Sequence, residues 1–188
     1  YDQVAILNEQ SEKMYGTGIT NIVYMGMGEP LLNYNNVLKS IERITASDSM
    51  AMSPKRITVS TAGVAKMIKQ LGDDKVRFNL ALSLHAANDE KRNTIMAINE
   101  SNNIAALTEA LNYFYEQTKN DITLEYVLLK GVNDSVEDAE ELVKVYRKIP
   151  THLINVIEFN PVSGIAYLKS DEDTTQVFTD YLAKNRVN

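Results

Sequence analysis

The chain has 188 residues, a net charge of −6 and no cysteine. It is long enough for one domain with a sizeable core, and its acidic balance argues against strong nucleic-acid binding by this chain alone. Disulfides, thiolate metal sites and cysteine nucleophiles are excluded within these residues, and two histidines are too few for a histidine-rich metal site. Without a membrane-length apolar run or a signal peptide, the expected location is cytoplasmic, with no membrane partner.

Helical and strand periodicities alternate along the whole chain. Strands are predicted at 19–28, 56–61, 77–85, 121–129 and 152–160. Helical spacing is found at 4–14, 37–44, 64–71, 104–114, 136–146 and 177–182, with a further helix start at 88–90. Gly72 is predicted to cap the third helix, and Ser135 with Asp138 forms a capping-box pattern. The order is α(βα)5, which predicts right-handed βαβ units and a parallel sheet in a single domain over 1–188.

The faces of the strands distinguish a barrel from a doubly wound sheet. Phe78, Leu80, Leu82 and Leu84 share one face of their strand, and the other face is small or polar. A central doubly wound sheet is apolar on both faces, so the pattern favours helices outside and a partly polar lumen inside. The first helix has no strand before it. We therefore expect an incomplete barrel with ligand chemistry at the carboxyl ends of its strands.

Polar residues cluster at those predicted strand ends. They are Gly28, Glu29, Ser60, Thr61, Ser83, His85, Asn133, Asp134 and Asn160. Each taken alone is an ordinary turn or loop residue, but parallel topology places all of them on one rim. One carboxylate with hydroxyls, amides and a histidine suits a small polar ligand that carries an amino-acid-like group.

The segment MGMGEP is the most specific part of this rim. Gly26 and Gly28 lack Cβ atoms, so a ligand can approach the backbone at the strand end. Pro30 biases Glu29 toward an extended conformation and ends the strand. Bare backbone beside one carboxylate favours an ammonium group over a phosphate, which the carboxylate would repel. A phosphate-binding barrel is therefore weakened as an alternative, although it is not removed.

Five ordered segments resemble one known family over nearly the whole chain. They are GMGEPLLNYNNV, RITVSTAGV, LALSLHAANDEKR, LEYVLLKGVNDS and EFNPVSG. They closely resemble the radical S-adenosylmethionine (SAM) enzymes that methylate adenosine at C2 in 23S rRNA and tRNA. The resemblance implies an α/β fold, a partial (β/α)6 TIM-like barrel of the radical SAM type, here lacking its first strand. It also implies a monomer that uses an electron donor and acts on 23S rRNA and tRNA.

The resemblance assigns roles to residues already placed on the rim. Gly28 and Glu29 match the segment that receives the methionyl amino group of SAM. The other implied cofactor contacts are Ser60, Ser83, Leu84, His85 and Asn160. The family also holds a 4Fe-4S cluster on a cysteine loop and uses a C-terminal cysteine in catalysis. This chain offers no catalytic and no metal-binding residue for those roles, because it has no cysteine.

The missing cysteines leave more than one interpretation open. A fragment of a complete enzyme, truncated at both ends and inactive by itself, is the expected case, because the missing strand and cysteines belong to the same absent ends. A decayed, non-catalytic RNA-binding relative is the alternative. A third possibility is the related class that methylates C8 of adenosine, since its motifs overlap with these.

Overall fold

A computed structural model describes all 188 residues. It contains twelve elements, apart from short 3-10 turns. The helices are α1 (Asp2–Tyr15), α2 (Tyr34–Thr45), α3 (Ala65–Asp73), α4 (Asp89–Ile95), α5 (Ile104–Thr118), α6 (Val136–Tyr146) and α7 (Glu172–Lys184). The strands are β1 (Ile22–Tyr24), β2 (Ile57–Thr61), β3 (Asn79–Ser83), β4 (Ile122–Leu128) and β5 (Leu153–Glu158). No helix is both long and apolar enough to cross a membrane.

The five strands are parallel and lie in the order β1-β2-β3-β4-β5, curled into a half-barrel. The predicted partial barrel is confirmed. Ser60 is the Cα partner of Ala81, and Ser83 is the partner of Glu125, so these residues occupy neighbouring positions across the sheet. Because all strands run the same way, their carboxyl ends lie along one edge.

The core lies between the outer face of the sheet and the helices. Leu80 and Leu82 of β3 are fully buried there, as are Ile57 and Val59 of β2. Burying each such side chain stabilises the fold by roughly 1.5–3 kcal/mol. The alternation seen in the sequence is therefore the alternation of the sheet's two faces.

Two local predictions were wrong. The first strand is limited to Ile22–Tyr24 because it lies at the edge and pairs only with β2, and the chain then turns away at Gly28, where φ is +96°. Gly72 does not cap α3 but lies inside it, where a Cβ would stand 3.2 Å from the ring of Tyr113. That glycine permits close packing of α3 on α5.

The predicted helix start at 88–90 and the predicted capping box are confirmed. The Asn88 side chain accepts a hydrogen bond from Lys91 N at the start of α4. Ser135 and Asp138 form a reciprocal capping box at the start of α6. These caps matter for the site because they fix where each helix begins after the strand-end loop that precedes it.

Candidate cofactor-binding site

The chain after β1 exposes bare backbone at the edge of the sheet. Gly28 has a φ of +96°, in the left-handed region, and no heavy atom lies within 4 Å of the place where its Cβ would stand. With Tyr24, Gly26 and Glu29 it lines a depression of about 440 Å³. Small-ligand sites occupy roughly 300–1,000 Å³. A small molecule can therefore reach the backbone of this segment without displacing protein atoms.

The Glu29 carboxylate connects the exit of β1 to the end of β2. Its Oε1 accepts hydrogen bonds from Leu31 N at 3.0 Å and Thr61 Oγ1 at 2.9 Å. Its Oε2 accepts one from Ala62 N at 2.6 Å. A carboxylate has about four acceptor sites, so one remains for a further donor such as an ammonium group. Glu29 is thus positioned by the protein before any ligand arrives.

Ser60 and Ser83 lie on the inner face of neighbouring strands, with their Oγ atoms 3.5 Å apart. Through Thr61, the residue after Ser60, they lie beside Glu29. Leu84 differs from them because its side chain is buried and only its backbone can contact a ligand. The structure therefore brings Gly28, Glu29 and the two serines into one region of the rim.

His85 is held in an unusual backbone conformation, with a φ of +56°. Its Nδ1 accepts a hydrogen bond from Val127 N at 3.2 Å. Burial, and to a lesser extent the positive charge of Arg92, lower the pKa of this imidazole to about 4. At neutral pH the ring is therefore uncharged with its proton on Nε2, where it acts as a hydrogen-bond donor.

Asn133 and Asp134 do not join the rim as expected. Asn133 Nδ2 donates to the carbonyls of His85 at 2.6 Å and Val127 at 2.7 Å. Asp134 accepts hydrogen bonds from Gly131 N and Ser170 Oγ. Both are buried, because the loop after β4 needs partners for its backbone groups. They stabilise this loop, and Asn133 also holds His85 in place.

Asn160 lies exposed, two residues beyond the end of β5. Its side chain forms no hydrogen bond with the other predicted contacts, so its role stays a prediction. Glu125 lies nearer the site, buried on the inner face of β4, where its Oε1 accepts a hydrogen bond from Asn155 Nδ2 at 2.8 Å. Alternation along β4 puts Glu125 on the same face as Thr123, whose Oγ1 lies 3.3 Å from Glu125 Oε1.

Arg92 of α4 was missed by sequence reasoning. Its side chain is fully buried and contacts the loops after β2 and β3. In the sequence it follows Asp89, Glu90 and Lys91, a pattern typical of a solvent-exposed helix face. Only the positions of the neighbouring loops reveal that it points inward.

The described residues do not fit an iron–sulfur cluster or another metal centre. The chain has no cysteine, and no group of three or more His, Asp or Glu side chains is placed to hold a metal ion. Thiolates are the usual ligands of such clusters. Within these residues the site consists of hydrogen-bonding groups and open backbone.

Comparison with known proteins gives concordant results. The pattern that defines the Radical SAM superfamily matches residues 4–145. A probable dual-specificity RNA methyltransferase RlmN of Cytophaga hutchinsonii is 52% identical over 97% of this chain and 50% of its own length. A protein of the same name from Flavobacterium psychrophilum is 46% identical over 100% of the chain and 54% of its own length.

A solved structure is also similar over nearly the whole chain. The crystal structure of a radical SAM methyltransferase from Sphaerobacter thermophilus superposes with a TM-score of 0.93 at 33% identity, covering 99% of this chain and 54% of that one. The chain thus spans about half the length of the relatives it matches. The similarity extends through all five strands and therefore includes the rim.

Proposed function

This chain belongs to the Radical SAM superfamily, and we propose that it is the SAM-binding core of an enzyme that methylates C2 of adenosine in 23S rRNA and tRNA. The observation that carries the proposal is the similarity of nearly all of this chain to relatives named dual-specificity RNA methyltransferases. The order of the five motif segments agrees with it. In this proposal the whole protein acts in the cytoplasm as a monomer and receives electrons from a separate donor.

The geometry of the rim fits the methionyl end of SAM. The free acceptor position of Glu29 and the open backbone of Gly28 receive the ammonium group, because both present negative or partly negative atoms to the same depression. When bound, SAM supplies the methyl group and the 5′-deoxyadenosyl radical. Glu29 needs no rearrangement to take part, since Thr61 and Ala62 already fix its carboxylate.

The remaining contacts orient the rest of the cofactor. Ser60 and Ser83 offer hydroxyl groups that both donate and accept hydrogen bonds. His85 offers Nε2–H as a donor, and it does not serve as a base near neutral pH because its pKa lies at about 4. Leu84 contributes only its backbone, and Asn160 closes the set from the loop after β5.

Superfamily membership implies a 4Fe-4S cluster, which must take its ligands from outside these residues. The 188-residue chain alone is therefore proposed to be inactive. Its part is to bind and orient SAM and to exclude water from the reaction. The net charge of −6 supports a main RNA contact surface outside this chain.

The test uses the complete gene product that contains this chain. It is purified anaerobically with its cluster, reduced, and incubated with SAM and either tRNA or a 23S rRNA fragment. Mass spectrometry of the digested nucleosides is expected to show 2-methyladenosine from both RNAs. The isolated 188-residue chain is the matched control and is expected to give none.

Other outcomes would replace the proposal. If 8-methyladenosine forms, the protein belongs to the class that methylates C8. If RNA binds with a steep salt dependence and no methylated product forms, a non-catalytic RNA-binding relative is the correct description. A redox-active cluster reconstituted on the isolated chain would refute the proposal that the chain is inactive by itself.

A further inference from the structure

We propose that Arg92 is a positioning residue that holds the cofactor-binding loops after β2 and β3 in register, an inference that rests on the proposed SAM site. Arg92 is the fourth residue of α4, counted from the residue after the N-cap Asn88, and it is fully buried. It is the largest of the fully buried side chains and forms no salt bridge. A buried charge without a direct carboxylate contact is costly, so it persists only where many hydrogen bonds stabilise it.

The guanidinium group uses its whole set of donors. An arginine side chain has five N–H groups. Nε donates to the carbonyl of Leu84 at 3.0 Å, and Nη2 donates to the carbonyls of Ala62 at 2.7 Å and Ser83 at 3.1 Å. Nη1 donates to Asn99 Oδ1 at 2.7 Å and to the carbonyl of Asn102 at 3.5 Å. Four of the five acceptors are therefore backbone carbonyls.

Three of those carbonyls belong to the candidate site. Ladder pairing between β2 and β3 ends at Thr61 and Leu82, so the carbonyls of Ala62, Ser83 and Leu84 lie beyond the last paired residues. Beyond this point no register pair joins the two strands. The planar guanidinium bridges them and sets their spacing.

The bridge reaches the predicted ammonium receptor through a single residue, Ala62. The Ala62 carbonyl accepts from Arg92 at 2.7 Å, and the Ala62 N–H donates to Glu29 Oε2 at 2.6 Å. On the β3 side, Arg92 fixes the backbone of Ser83, whose hydroxyl faces Ser60. Arg92 therefore orients both halves of the site without contacting the ligand.

Lysine cannot replace this arrangement, although it keeps the charge. An ammonium group has three donors and no planar fork, so Arg92→Lys loses at least two of the five hydrogen bonds. Burial lowers the pKa of Arg92 to about 10, so the wild-type side chain remains charged at neutral pH. The expected defect is thus one of geometry rather than of charge.

The experiment measures SAM affinity by equilibrium dialysis of the complete, cluster-loaded protein, well below the unfolding temperature of each variant. Arg92→Lys is expected to weaken SAM binding roughly 10- to 100-fold, the range seen when outer-shell partners of metal sites are lost. Lys91→Gln is the matched control from the same helix. It loses the ion pair of Lys91 with buried Asp138 but touches no rim carbonyl, so its SAM affinity is expected to stay within about twofold of wild type.

The possible results separate a failure of the proposed SAM site from a failure of the proposed role of Arg92. If wild-type protein fails to bind SAM, the proposed function fails and the role of Arg92 fails with it. If wild type binds and Arg92→Lys binds equally well while losing stability, only the positioning role is refuted. If Arg92→Lys does not fold, Asn99→Ala is the second variant, because it removes one acceptor of the guanidinium group. It is expected to weaken SAM binding by a smaller factor. Unchanged affinity in Asn99→Ala would also refute the positioning role of Arg92.

Discussion

Protonation of His85 links the stability of this fold to pH. Burial lowers the pKa of His85 from 6.5 to about 4. As the pH falls below 6.5, His85 binds a proton in the unfolded chain but not in the folded chain. The free energy of unfolding therefore decreases between pH 6.5 and pH 4. The full difference corresponds to about 3 kcal/mol at 1.36 kcal/mol per pKa unit, and about 2 kcal/mol of it is lost between pH 7.5 and pH 5.

The assay is urea unfolding of the chain at several pH values, for wild type and His85→Asn. Asparagine tolerates the φ of +56° and offers Oδ1 where the imidazole offers Nδ1 to Val127 N, but it does not titrate. Other groups titrate in both proteins, so the difference between the two curves isolates His85. His152→Asn removes an exposed histidine and is expected to follow wild type. Parallel curves for wild type and His85→Asn would refute the reasoning.

Three further substitutions test other parts of the site. Gly28→Ala is expected to cost about 1–2 kcal/mol of unfolding free energy because its φ of +96° is strained for alanine, whereas Gly26→Ala, equally open and without a positive φ, is expected to change it by less than about 0.5 kcal/mol; equal effects would contradict this. Glu29→Gln replaces one carboxylate oxygen with an NH2 group, which cannot accept from the three donors that Glu29 binds. It is expected to lower the free energy of unfolding by about 1–3 kcal/mol and to weaken SAM binding. Wild-type values in urea unfolding and dialysis would contradict this. Ser135→Ala removes the cap of α6 and is expected to cost about 1 kcal/mol by urea unfolding, with SAM affinity unchanged.

Much of the fold could be predicted because alternation reports which face of the sheet each side chain occupies. Leu80 and Leu82 alternate with Ala81 and Ser83, and the structure places the leucines against the helices. The barrel followed from that asymmetry between faces. The length of β1 could not be predicted, because it depends on how many partners an edge strand has, and residue type does not encode this.

The position of the candidate site could be predicted from the sequence, but its hydrogen-bond network could not. Strand ends and parallel topology were enough to place Ser60 and Ser83 together. They could not show that Glu29 is already bonded to Thr61 and Ala62, because those partners come from a strand about thirty residues away in sequence. Arg92 was hidden for the same reason, since its acceptors are backbone carbonyls, which every residue type carries.

The consecutive order of the strands has a consequence for how the chain is made. Each strand pairs with the one synthesised just before it, and none must wait for a distant partner. Assembly can therefore advance from the amino end during translation, with one growing edge at a time. Each crossover spans one or two helices, and the entropic cost of closing a loop grows only slowly with its length. In this order, the hydrogen bonds of Glu29 to Thr61 and Ala62 need only the chain through the end of β2 and the residue after it. Those of Arg92 also need β3, α4 and the segment that reaches Asn102.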